Sequence, residues 1–153
     1  MRKMIFICWG LMFILSSVRI FAGDLVVTVD RFTQGNNQAP VRFSLCNNKE
    51  CHEKRDKGYV DIDAQLIEFT GQSRKYRIKN IRPGDYSLSA YHDLNNNGEL
   101  ESSGMLGIPK EPVGFSRLDV QKIRHHPKWD EVKFHVGEGE TFVVVHLVHK
   151  FGL

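Results

Sequence analysis

Oxygen-bearing side chains stand at every second position of one short stretch, Asp93, Asn95 and Asn97, and Gly98 follows them. This is the front half of a calcium-loop pattern, D-x-[DN]-x-[DN]-G. A hard cation takes about six to eight oxygen ligands at ~2.3–2.6 Å. Alternate positions of a tightly turning segment can point inward together, and Gly98 permits the positive φ that the turn requires. Glu99 would add its backbone carbonyl and Glu101 a second carboxylate, with Glu111 folding back as an extra ligand. Gly104 stands where an EF-hand loop carries its bidentate Glu, and no flanking helix is predicted. So thin a cage predicts a weak structural Ca²⁺ site over residues 93–101, with affinity of about 10⁻⁴–10⁻³ M. The alternative carries equal weight: Asp and Asn bond their own backbone two residues on, so the same run can close without a metal. His92 then serves as a rim histidine supporting the loop rather than as a ligand.

Other chemistry is thinner. His92 beside Asp93, with Glu111 and Ser116 downstream, supplies the ingredients of a small hydrolase that uses His92 and a loop carboxylate. No nucleophile-elbow or zinc-protease spacing accompanies them. His125 and His126 are adjacent, so on an extended segment they point apart. A transition-metal site from His125, His126 or His149 is therefore a minor alternative. Tyr91, Phe115 and Trp129 would be the exposed aromatics of a carbohydrate- or surface-recognition module; aromatics in such loops more often form satellite cores. The expected role is a non-catalytic binding or structural module, with a protein or an envelope component as partner.

The compartment follows from the first residues. Arg2 and Lys3 precede an apolar run from Met4 to Val18, and Ala22 offers a cleavage position. This predicts a signal peptide over residues 1–22 and a single domain over 23–153, in the periplasm or secreted. The apolar run is shorter than the ~20 residues a membrane span needs, so no span is expected in the mature form. Without Arg2, Lys3 and Arg19 the 21 basic residues fall to 18, equal to the 18 acidic ones. A net charge of zero removes any nucleic-acid footprint. Cys46 and Cys51 remain as an even pair in an exported chain, which predicts a disulfide closing a short loop.

The elements that must position these residues have a period of two. Leu25, Val27 and Val29 alternate with more polar neighbours, as do Val41, Phe43 and Leu45, a pattern that places Cys46 on an outer face. Residues 47–58 read as a solvated loop. Leu66, Ile67 and Phe69 are the expected buried part of a third strand, and the lysines around Tyr76 and Ile78 are expected to blunt a sheet edge. Pro83 and Gly84 turn the chain into a strand that carries Tyr86, Leu88, Ala90 and His92 on one face. Residues 94–130 read as one long loop. The last strand is apolar on both faces, with Phe142 and Val144 opposing Val143 and Val145, as in a central strand. About seven short strands with turns between them predict an all-β fold, an antiparallel β-sandwich of immunoglobulin-like or transthyretin-like kind.

A resemblance rests on the long central motif. Pro83–Gly84–x–Tyr86 leads through His92–Asp93–x–Asn95–x–Asn97–Gly98–x–Leu100–Glu101 into Leu106–Gly107–Ile108–Pro109–Lys110–Glu111 and Gly114–Phe115–Ser116, then Pro127 and Trp129–Asp130. The mature chain resembles the exported bacterial family catalogued as domain of unknown function 2141. The resemblance implies a transthyretin-like or carboxypeptidase-regulatory-like β-sandwich and implies no activity. Glu101 stands where that family usually has Asp, Ser102–Ser103 replace an acceptor-rich continuation, and Arg117 replaces an Asn.

Overall fold

The computed structural model describes residues 22–32, 38–54, 62–104 and 107–151. The expected signal peptide, apart from Ala22, lies outside the described residues. Strands β1 (Gly23–Asp30), β2 (Val41–Cys46), β4 (Ser73–Ile81) and β5 (Gly84–His92) follow the alternation of apolar side chains; the short helix α1 (Lys49–Glu53) and strand β3 (Gln65–Thr70) lie between β2 and β4. The chain continues through β6 (Ser102–Ser103), β7 (Ile108–Pro109), β8 (Val113–Phe115), helix α2 (Trp129–Val132), β9 (Phe134–Val136) and β10 (Glu140–His146). The fold is all-β and sandwich-like, as expected. Among the described residues no helix is long and apolar enough to cross a membrane.

One sheet has the order β10-β1-β4-β3, with β10 parallel to β1, and the other has the order β2-β5-β8, with β9 paired to the start of β5. Their inner faces enclose Leu25, Val27, Val29, Phe43, Ile78, Leu88, Ala90, Val136 and Val145. This is the two-layer solution for sheets that are apolar on one side. A bridge between Ser116 and Val145 ties β8 to β10, closing one side of the sandwich. A second core, made of Tyr91, Val113, Phe115 and Val132, fills the far face of the β5 sheet.

Five expectations need correction. Leu66, Ile67 and Phe69 are 50%, 42% and 49% exposed, because β3 is, among the described residues, an outermost strand with a neighbour on one side only. The last strand, β10, is the other outermost strand of that sheet and not a central one; Phe142 is 70% exposed. The lysine-bearing strand β4 is interior, between β1 and β3. Cys46 is buried, since the five-residue helix α1 folds its disulfide partner Cys51 back over it with a Cα–Cα distance of 5.5 Å. Residues 94–130 are not one loop: they hold β6, β7 and β8 and supply Val113 and Phe115 of the second core.

Candidate functional site

Strand β5 lies between β2 and β8, and both neighbours hold its last residues in place. The His92 amide donates to the Pro112 carbonyl at 2.9 Å and the Asp93 amide to the Pro40 carbonyl at 3.0 Å. Asp93 therefore leaves the sheet with its direction fixed, and its side chain has no exposed surface. A carboxylate buried this deeply costs several kcal/mol unless donors replace its water. The turn supplies them. The Asn97 amide donates to Asp93 Oδ1 at 3.1 Å and the Gly98 amide to Oδ2 at 2.9 Å. Arg42 on β2 adds Nε to Oδ2 at 3.1 Å, and its Nη2 lies 3.5 Å from Asn96 Oδ1.

The turn then propagates along its own side chains. Asn95 Oδ1 accepts from the Asn97 amide at 3.1 Å, and Asn97 Oδ1 accepts from the Glu99 amide at 2.9 Å. Asn97 Nδ2 reaches Glu101 Oε1 at 3.3 Å, and Lys110 Nζ lies 3.4 Å from Glu101 Oε2. Asn96 at φ 55° and Gly98 at φ 80° occupy the left-handed region that the chain reversal demands. Tyr91 closes the turn from below, donating its hydroxyl to the Gly98 carbonyl at 2.9 Å. Asp93, Asn95, Asn97 and Glu101 are thus brought together, while Glu99 joins through its backbone amide.

Two expected supporting residues sit beneath the turn. Glu111 is 4% exposed; its Oε1 accepts from the Leu94 amide at 2.8 Å. Its Oε2 is buried with no hydrogen-bond partner among the described residues. Burial raises its pKa; the Leu94 amide opposes that shift and the Asp93 charge adds to it. His92 is fully buried rather than at a rim, packed edge-on against Phe32 with ring centroids 5.0 Å apart. The strand that was expected to end at the surface ends instead under the turn it feeds.

Asp93 Oδ1 and Asn95 Oδ1 do converge on a common point, and that point is the Asn97 amide. The neighbouring positive charge is a guanidinium, so a divalent ion placed here would face repulsion from Arg42. Among the described residues no group of three or more His, Cys, Asp or Glu side chains lies where it could hold a metal. The donor set therefore fits a turn closed by N–H groups better than a calcium cage.

The remaining chemical candidates are dispersed. Ser116 Oγ donates to the Val132 carbonyl at 2.6 Å and accepts from the Leu88 amide at 3.0 Å, fully buried between β5 and α2. His125 is exposed, the His126 ring packs on His52 and Phe115, and His149 bonds the Arg31 carbonyl. Tyr91, Phe115 and Trp129 are all buried. One cluster had no local signal in the sequence. His52 on α1 places Nε2 2.8 Å from the Pro127 carbonyl, so that nitrogen carries the proton. Its Nδ1 shares a hydrogen bond with the buried Ser87 hydroxyl at 2.9 Å. Arg42 was missed as well: it sits on β2 opposite Tyr91, 51 residues before the carboxylate it pairs with. Only the β2–β5 pairing brings the two together.

A family model described as an uncharacterized protein conserved in bacteria, domain of unknown function 2141, matches residues 27–143. No curated protein matches the chain, and no solved structure does.

Proposed function

We propose that this chain, which belongs to the bacterial family catalogued as domain of unknown function 2141, is an exported non-catalytic binding or structural module. Its recognition surface is the segment 92–117, with the turn after Asp93 at its tip. The carrying observation is the Asp93 carboxylate, which has no exposed surface and accepts from Asn97, Gly98 and Arg42. One buried acid thereby fixes an exposed polar turn, Asn95 to Glu99, at the end of an interior strand. A surface ordered before contact loses little conformational entropy on binding. The partner is a protein or an envelope component in the periplasm or outside the cell. The signal-like N-terminus and the Cys46–Cys51 disulfide support that compartment.

Burial of His92 and the two hydrogen bonds that occupy Ser116 Oγ support the non-catalytic reading over a hydrolase. A weak Ca²⁺ in the same turn is the second reading, supported by the oxygen-bearing side chains of Asp93, Asn95, Asn97 and Glu101 within nine residues of sequence. Two measurements test these readings. Glu99→Ala, which leaves the Asn95 and Asn97 hydrogen bonds of the turn in place, is expected to weaken retention on immobilised envelope fractions while leaving the melting temperature nearly unchanged; hydrolytic turnover that is lost in His92→Gln would overturn the proposal. Titrating millimolar calcium into the protein separates the metal-free turn, which gives no heat and no thermal shift, from the calcium-loaded one.

A further inference from the structure

Strand β3 combines three properties that rarely meet on a sheet edge. It is the outermost strand of its sheet, all six of its residues are exposed, and Leu66, Ile67 and Phe69 keep 50%, 42% and 49% of their surface in solvent. Proteins normally blunt such an edge with charge or a bulge. Here the one charge on the strand, Glu68, is paired with Lys75 at 2.5 Å. The register shift between Leu66 and Glu68 passes over Ile67. It leaves Leu66 opposite Tyr76 and Phe69 opposite Arg74, on the inner face of the sheet, while Gln65, Glu68 and Thr70 take the outer face. The bulge has brought two large apolar side chains, three positions apart, onto one side.

We propose that the edge of β3 that has no strand beside it among the described residues is a self-docking surface, on which a second copy of this chain adds its own β3 antiparallel, about a two-fold axis at the Ile67–Glu68 peptide. Residues directly opposite one another in an antiparallel pair share a face. Only a register centred there matches faces on both sides of the bulge: Gln65 meets Thr70 and Leu66 meets Phe69, while Ile67 and Glu68 of the two copies lie together at the axis. A slip of one residue in one direction sets the two Glu68 carboxylates against each other and Leu66 against Thr70. The slip in the other direction sets Leu66 against Glu68. Wider slips shorten the paired stretch. A sequence that is complementary to itself under a two-fold operation is the requirement for an isologous dimer, and an unrelated peptide need not meet it. The two Leu66–Phe69 pairs then extend the inner apolar face across the junction.

The strand is about 20 Å long, and the contact is smaller than the ~800 Å² per partner of a standard interface. The dimer is accordingly a rapid, concentration-dependent one. Sedimentation equilibrium of the exported protein, with its disulfide intact, is expected to show the weight-average mass rising from monomer towards dimer with concentration. Leu66→Lys is expected to hold it at the monomer mass with an unchanged melting temperature, since half of that side chain is already in water. A mixture of Leu66→Cys and Phe69→Cys chains should form an intermolecular disulfide that neither variant forms alone. This arm stands even if the lysine variant fails to fold. A monomer mass at every concentration, a dimer that Leu66→Lys leaves intact, or cross-linking of each cysteine variant alone but not of the mixture would each overturn the proposal.

Discussion

The turn after Asp93 and the strand β3 invert the usual distribution of side chains in opposite senses. The turn buries carboxylates: Asp93 has no exposed side-chain surface and Glu111 is 4% exposed. The strand exposes Leu66, Ile67 and Phe69 at about half their surface. The difference lies in what each segment is offered. Asp93 meets two amides and a guanidinium, enough donors to replace the water it loses. Each apolar side chain on β3 has β4 on one side and no strand on the other among the described residues. Burial in this molecule follows from available partners and not from residue type alone.

The largest expected effect breaks the first half of that comparison. Asp93→Ala leaves the Gly98 amide and Arg42 Nε without their acceptor and the Asn97 amide with Asn95 Oδ1 alone, and is expected to cost about 3 kcal/mol, since each orphaned donor carries a penalty of ~1–3 kcal/mol. Urea unfolding measures it; a loss under ~1 kcal/mol would mean that the turn does not depend on its carboxylate. Glu111→Gln sharpens the same half with a smaller effect that depends on pH. Burial raises the Glu111 pKa above its ordinary value. The folded protein therefore holds that proton more tightly than the unfolded chain. Stability from this group is complete below the unfolded carboxyl pKa and is lost as pH rises through the folded one. The amide keeps an oxygen for the Leu94 N–H and never ionises, so the variant should match the parent in acid and exceed it at neutral pH. Urea unfolding at pH 4 and pH 8 reads the sign; an equal or reversed difference at pH 8 contradicts the burial argument.

The smallest effect belongs to β3. Leu66→Thr retains a strand-forming side chain at a half-exposed edge and is expected to change monomer stability by no more than ~0.5 kcal/mol. A much larger loss in thermal unfolding of dilute protein would show that Leu66 is covered within a single copy, and the contrast between the two regions would disappear.

Much of this was legible in the residues themselves. Alternation marked β1, β2, β4 and β5, because a strand half-buried in a sandwich must repeat every second residue. Even the local closure of the turn was written in its spacing: Asn95 and Asn97 bond amides two residues on, an interaction set by nearby covalent structure. The edges were not legible. Leu66, Ile67 and Phe69 on β3, and Phe142 and Val144 on β10, read as covered, since apolar content says that a strand wants cover and says nothing of whether a neighbour exists. His92 read as a rim residue because the segments that cover it enter the sheet from elsewhere in the chain.

The amino-acid order alone therefore determined strands β1, β2, β4 and β5, the disulfide partners and the internal bonding of the turn, all of which depend on atoms a few residues apart. Tertiary structure decided the rest: which strands became edges, which carboxylates were enclosed, and that a guanidinium from β2 would stand beside Asp93. The physical reason is that pairing partners and cover are supplied by segments tens of residues away. Their arrival depends on the order in which strands pack, which no local pattern encodes.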